Sequence, residues 1–125
     1  MTTQEIANRL VAMNRDNLHM EIYEELYDTE HMVSVENGGE KMESKGIEAI
    51  KSKGEMWYSS IETVHEMRTS EPLIADKSFA VTFYMDITHK EGNALGIPGG
   101  RSVMTEMAIY HVNDFGKIYR EEFFA

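Results

Sequence analysis

From residue 79 onward the chain alternates apolar and polar side chains, whereas its first third repeats apolar residues every three or four positions. Phe79, Val81, Phe83, Met85 and Ile87 share one side of a run ending at Thr88, a period of two that predicts a strand with one buried face. A second run, Ser102 to Val112, is expected to pair with a third, Lys117 to Phe124, across an Asn113-Asp-Phe-Gly116 turn. Near the start, Ile6, Leu10 and Met13 form a helical stripe behind a Thr2 or Thr3 cap. Leu18, Ile22 and Leu26 mark a second helix, capped by Asp16 or Asn17. A strand over His31 to Glu36 puts Val33 and Val35 on one face; Asn37-Gly38-Gly39 then signals a turn, with a short return over Glu40 to Lys45.

A third helix opens at Gly46 and carries Ile47, Ile50, Trp57 and Ile61 on one face. Gly54 lies inside it at a cost of about 1 kcal/mol relative to alanine, which a close helix–sheet contact or a break would explain. Thr63 to Ser70 reads as a strand ended by Glu71-Pro72, with Leu73 to Ala75 continuing it as a bulged edge. The loop from Lys90 to Gly100, with four glycines and Pro98, is expected to be mobile and to lie at a pocket mouth. The predicted order is ααββαββββ, a helix-rich start packed on a sheet that curves around an interior.

At 125 residues the chain is expected to form a single domain spanning 1–125, with a core that needs no staples. It has no cysteine, which excludes disulfides, thiolate metal sites and cysteine nucleophiles and suits the cytoplasm. Met-Thr-Thr-Gln-Glu-Ile has the character of no signal peptide, and no apolar run reaches the roughly 20 residues that span a membrane. A net charge of -10 opposes nucleic acid and anionic lipid as partners. Ten methionines suit an adaptable apolar interior or a promiscuous pocket.

Leu26-Tyr27-Asp28 before the first strand, Lys45-Gly46-Ile47-Glu-Ala-Ile50 opening the third helix, and Ile109-Tyr110-His-Val-Asn-Asp-Phe-Gly116-Lys117-Ile118 near the end stand in a telling order. In order and spacing the chain resembles the nuclear transport factor 2-like superfamily, which includes ketosteroid isomerase, SnoaL-like polyketide cyclases and scytalone dehydratase. The resemblance implies an α+β cone: a strongly curved antiparallel sheet on three helices, with a pocket at the wide end and often a homodimer through the outer sheet face. It also implies that steroid-type isomerisation is absent. The family's general base falls at Asn37, an amide with no basic site near neutral pH; its oxyanion tyrosine falls at Leu10; and its strand aspartate falls at Ala108.

Glu106 stands two residues before Ala108 and so shares its face, beside Met104 and Tyr110. If that face lines the pocket, desolvation raises its pKa toward the range of a general acid or base; otherwise it pairs with Arg68, Arg101 or Arg120. Glu121 follows the same logic on the last strand, with Tyr119 and Phe123 as same-face neighbours, and a one-residue slip exchanges which glutamate points inward. Tyr23, Tyr27, Trp57 and Tyr58 are candidate flat walls for a cyclic ligand. His19, His31, His65, His89 and His111 show no metal-binding spacing, and no cofactor fingerprint is present, so neither metal nor cofactor is expected. Glu106 is thus the candidate catalytic group. The candidate pocket is Leu10, Tyr23, Asn37, Trp57, Phe83, Met85, Met104, Ala108, Tyr110 and Glu121. The expected function is binding of a small, largely apolar molecule, with or without simple acid–base chemistry. The alternative is a non-catalytic homodimeric scaffold whose cavity is filled by its own side chains.

Overall fold

The computed structural model describes residues 1–37 and 41–125. The turn expected at Asn37-Gly38-Gly39 therefore lies largely outside the described residues. Helix α1 (Thr3–Arg15) starts at a capping box: the Glu5 N–H donates to the Thr2 hydroxyl at 3.1 Å and the Thr2 N–H to the Glu5 carboxylate at 2.9 Å. Its stripe of Ile6, Leu10 and Met13 is fully buried. Asn17 does not cap the next helix. It ends α1 with a left-handed φ of 59°, and Leu18 N–H reaches back to the Met13 carbonyl at 2.9 Å, a Schellman closure suited to asparagine. Helix α2 (His19–Leu26) then begins without a side-chain cap and buries Ile22 and Leu26.

Strands β1 (Val33–Asn37) and β2 (Lys41–Lys45) lead into α3 (Ile47–Ser59). The third helix stops before Ile61, which opens strand β3 (Ile61–Thr69) instead of extending the helical face. Strand β4 (Leu73–Ile74) lies beyond Pro72 on the same neighbour as β3. Ser70 bridges the break, its hydroxyl accepting from Thr82 N–H at 2.9 Å, so the expected bulged edge is formed. Strands β5 (Ser78–His89), β6 (Gly100–Val112) and β7 (Ile118–Phe124) complete the sheet. The turn between β5 and β6 is internally tied. The Asn93 side chain donates to the Lys90 and Ile97 carbonyls at 2.9 and 2.7 Å and accepts from the Leu95 and Ile97 amides at 3.1 Å.

Seven strands form one curved, unclosed sheet in the order β2-β1-β7-β6-β5-β3, with β4 beside β5. Every pairing is antiparallel except β1 with β7, which is parallel. The inner face meets the helices in a core of Ile6, Leu10, Leu26, Phe79, Val81, Ala108, Tyr110 and Ile118. One register detail matters for the site. A bulge between His111 and Val112 leaves Tyr119 without a partner on β6. Tyr119 is consequently 39% exposed on the other side, and not on the inner face with Glu121 as simple alternation predicts.

Candidate functional site

The sheet and the three helices enclose a cavity of about 360 Å³. Leu10 and Asn14 reach it from α1, Tyr23 from α2, Lys53, Trp57 and Tyr58 from α3, Phe83 and Met85 from β5, Glu106 and Tyr110 from β6, and Glu121 and Phe123 from β7. Of the residues singled out from the sequence, Leu10, Tyr23, Trp57, Phe83, Met85, Glu106, Tyr110 and Glu121 line it. Met104, Ala108 and Asn37 do not. Ala108 points inward but is sealed in the core at 0% exposure.

On β1 the alternation is one residue out from that expected. Glu36, and not Asn37, faces the cavity, because Ser34 and Glu36 turn toward α3 while Asn37 turns away. Lys53 holds that face: its ammonium donates to the Ser34 hydroxyl at 2.6 Å and to the Glu36 carboxylate at 2.9 Å. Lys53 was not anticipated, yet it sits three residues after Ile50 and four before Trp57, on the inward stripe of α3. A lysine on an otherwise apolar stripe was the available signal. Next to it, Gly54 is explained by a helix–helix contact, not a helix–sheet contact: a Cβ there would stand 2.6 Å from the Tyr23 hydroxyl oxygen.

Two carboxyls occupy the β6–β7 wall. Glu121 is 3% exposed, pairs across the ladder with Tyr110 on one side and Ser34 on the other, and accepts a hydrogen bond from the Tyr27 hydroxyl. Burial pushes its carboxyl up, while the Tyr27 hydrogen bond and the Lys53 charge pull the other way; the net direction is upward. Glu106 stands opposite Phe83. Burial lifts it to about 7, helped by the negative charge of Glu36 and countered by Lys53. The three arginines considered as partners are engaged elsewhere: Arg68 with Glu66 at 3.2 Å, Arg101 with Asp86 and Arg120 with Glu122, both at 2.9 Å. Among the described residues no hydrogen bond or ion pair reaches the Glu106 carboxyl. Burial also raises Tyr23 to about 12 and lifts Tyr27 and Tyr110 well above the ordinary phenol value, so these hydroxyls are donors at neutral pH. The arrangement offers a titrating carboxyl, hydroxyl donors and aromatic walls around one enclosed volume.

A cone-like sheet folded over three helices around such a cavity defines the nuclear transport factor 2-like class. Within that class, the chain belongs to the SnoaL-like domain family, which matches residues 1–125. A SnoaL-like polyketide cyclase candidate from Mesorhizobium loti, also described as a carbohydrate phosphatase, is 28% identical, with a TM-score of 0.82 and 100% of each chain covered. A SnoaL-like polyketide cyclase candidate from Jannaschia sp. CCS1 shares the fold at 16% identity and a TM-score of 0.76, covering 98% of this chain and 85% of that one. So does SalBIII, an epoxide hydrolase/cyclase-like enzyme with a role in pyran ring formation in the polyether salinomycin, at 18% identity and a TM-score of 0.71, covering 99% and 93%. No curated protein matches the chain. No helix among the described residues is long and apolar enough to cross a membrane.

Proposed function

We propose that the protein binds a small, largely apolar molecule of one or two fused rings in the cavity and exchanges a proton with it through Glu106. The observation that carries this is Glu106 itself: a carboxyl on the cavity wall, without a partner among the described residues, poised near neutral pH at about 7. A group so poised is useful both as acid and as base. The volume, about 360 Å³, sits at the lower end of the roughly 300–1,000 Å³ range of small-molecule sites. The relatives described as cyclases act, by their names, on ring-forming substrates, which suits the aromatic walls here. Steroid-type isomerisation stays outside the proposal, because Leu10 and Ala108 stand where that mechanism needs its two oxyanion donors.

Trp57 is the chain's single tryptophan and lines the cavity, so its fluorescence reports occupancy. Titration with a non-fluorescent bicyclic ketone such as 1-decalone is expected to change that signal saturably below about 1 mM, a common ceiling for substrate affinities. Saturation is expected to move the Glu106 titration, followed by carbon NMR of the carboxyl, away from about 7. A flat titration, or an unmoved carboxyl, would overturn the reading.

We further propose that the 125 residues act as one domain, in the cytoplasm, as a homodimer built on the outer sheet face. Thr82, Tyr84 and Asp86 of β5 and Thr105, Met107 and Ile109 of β6 form that face, where Val103 and Met107 leave apolar surface in water. Sedimentation is expected to give twice the 14.4 kDa chain mass, and a 14.4 kDa species at micromolar concentration would count against the dimer.

A further inference from the structure

The charged groups of the cavity are unevenly matched, and the imbalance bears on what enters it. Among the described residues Glu36, Glu106 and Glu121 line it, against one lysine. Lys53 is already held by Ser34 and Glu36, at 2.6 and 2.9 Å, so its hydrogen bonds go to β1, and Glu106 feels its charge without a direct contact. An anionic ligand would enter a low-dielectric space that already holds negative charge, an unfavourable placement. The walls suit the opposite sign. Lys53 Nζ already lies 5.4 Å from the centroid of the Phe123 ring, and Tyr23, Trp57, Tyr58 and Phe83 present further aromatic surface.

We propose that the cavity selects a ring-bearing amine, its protonated nitrogen docked on the Glu106 carboxylate and its ring against the aromatic walls. The proposal rests on the binding reading above and names the class of ligand for the same site; the proton exchanged with Glu106 is then the ammonium's N–H. The ammonium supplies the donor and the counterion that Glu106 lacks among the described residues, a charge-assisted contact stronger than a neutral one. The groups facing Glu106 from neighbouring elements are Glu36 of β1, Lys53 of α3 and Glu121 of β7. The Tyr58 and Tyr110 hydroxyls remain protonated, Tyr58 lifted well above neutrality and Tyr110 further still. His19 is pushed below its usual value by burial and stays neutral above pH 7. Glu106 therefore changes charge across neutral pH, with Glu121 behind it also raised by burial, and a cation beside Glu106 expels its proton.

The test uses three bicyclic probes of one size, each titrated against Trp57 fluorescence: decahydroquinoline as the amine, 1-decalol as the neutral alcohol and a decalin carboxylic acid as the anion. At about pH 8 the amine is expected to bind about tenfold more tightly than the alcohol, the scale of one charge-assisted hydrogen bond, with the acid weakest. Lowering the pH to about 6 neutralises most of Glu106 and is expected to cost the amine, and not the alcohol, about tenfold. Glu106→Gln is expected to bring amine and alcohol within about twofold and to flatten the pH dependence, with a cooperative thermal unfolding transition as the sign that the variant folds. Alcohol or acid binding as tightly as the amine to the unmodified protein overturns this inference and leaves the binding reading standing. Failure of all three probes to bind overturns both.

Discussion

The deep end of the cavity and its open end hold the same side chain in opposite circumstances. At the deep end Glu121 is sealed beneath α2, with the Tyr27 hydroxyl donated to it and Tyr110 and Ser34 as its ladder partners. Toward the open end Glu106 sits on the adjacent strand with Met67, Leu95 and a 66% exposed Met42 around the mouth, and no donor among the described residues. Both carboxyls are pushed toward their neutral forms by burial. The difference is that the first carboxyl has a donor within the protein and the second has none among the described residues. A carboxyl already given a donor is part of the structure; one left without is available for chemistry.

The sharpest way to break this contrast is to remove the unpartnered charge. Glu106 has a folded-state pKa raised from 4.5 to about 7, so its stabilising contribution is full below 4.5 and is lost as pH rises through 7. Glu106→Gln should therefore match the native protein in urea unfolding near pH 4 and exceed it above pH 7, by up to about 3 kcal/mol at roughly 1.4 kcal/mol per pKa unit. Equal stability at both pH values would mean that Glu106 is solvated. The counterpart at the deep end carries the opposite sign. Tyr27→Phe strands a buried carboxyl without its donor and should destabilise by about 2 kcal/mol at neutral pH, measured by the same unfolding midpoint. No loss there would make Glu121 as independent as Glu106, and the contrast would disappear.

A smaller effect tests what links the two ends. Lys53→Met removes the cation that draws both carboxyls down, so the Glu106 titration should move above 7 in carbon NMR. Its stability cost, through the half-buried pair with Glu36, is about 1 kcal/mol after allowance for solvent. An unmoved Glu106 would show that Lys53 serves β1 alone.

Most of the architecture could be read because long alternating runs leave little freedom. The inner face of β5 needed only Phe79, Val81, Phe83, Met85 and Ile87, and Glu106 was reached by a two-residue step from Ala108, a position the resemblance marks as inward. The same rule failed where the run was short or interrupted. β1 has five residues, and the resemblance placed Asn37 in the pocket where the structure has Glu36, held by Lys53 in a contact between distant segments. Tyr119 was misplaced because a bulge is not written in hydropathy. Asn17 was assigned to the wrong helix because an asparagine serves a helix end in left-handed geometry as readily as a helix start. The Tyr27–Glu121 hydrogen bond spans 94 positions in the chain, and no local pattern announces it.

The parallel joint between β1 and β7 also bears on how the chain acquires its shape. Val33 to Glu36 align with Arg120 to Phe123, so β1 finds its ladder neighbour only in the strand synthesised after every other element described. Until then the β1–β2 pair lacks its second neighbour, with Ser34 and Val35 uncovered, a sticky edge on a nascent chain. Loop closure on that scale is slow, and β7 is gripped on its other side by β6 through an ordinary hairpin. β5, β6 and β7 pair with one another as successive hairpins, whereas capture of β1 must wait for β7. Glu121 would become buried, and its Ser34 neighbour would arrive, only when that capture completes the cavity wall.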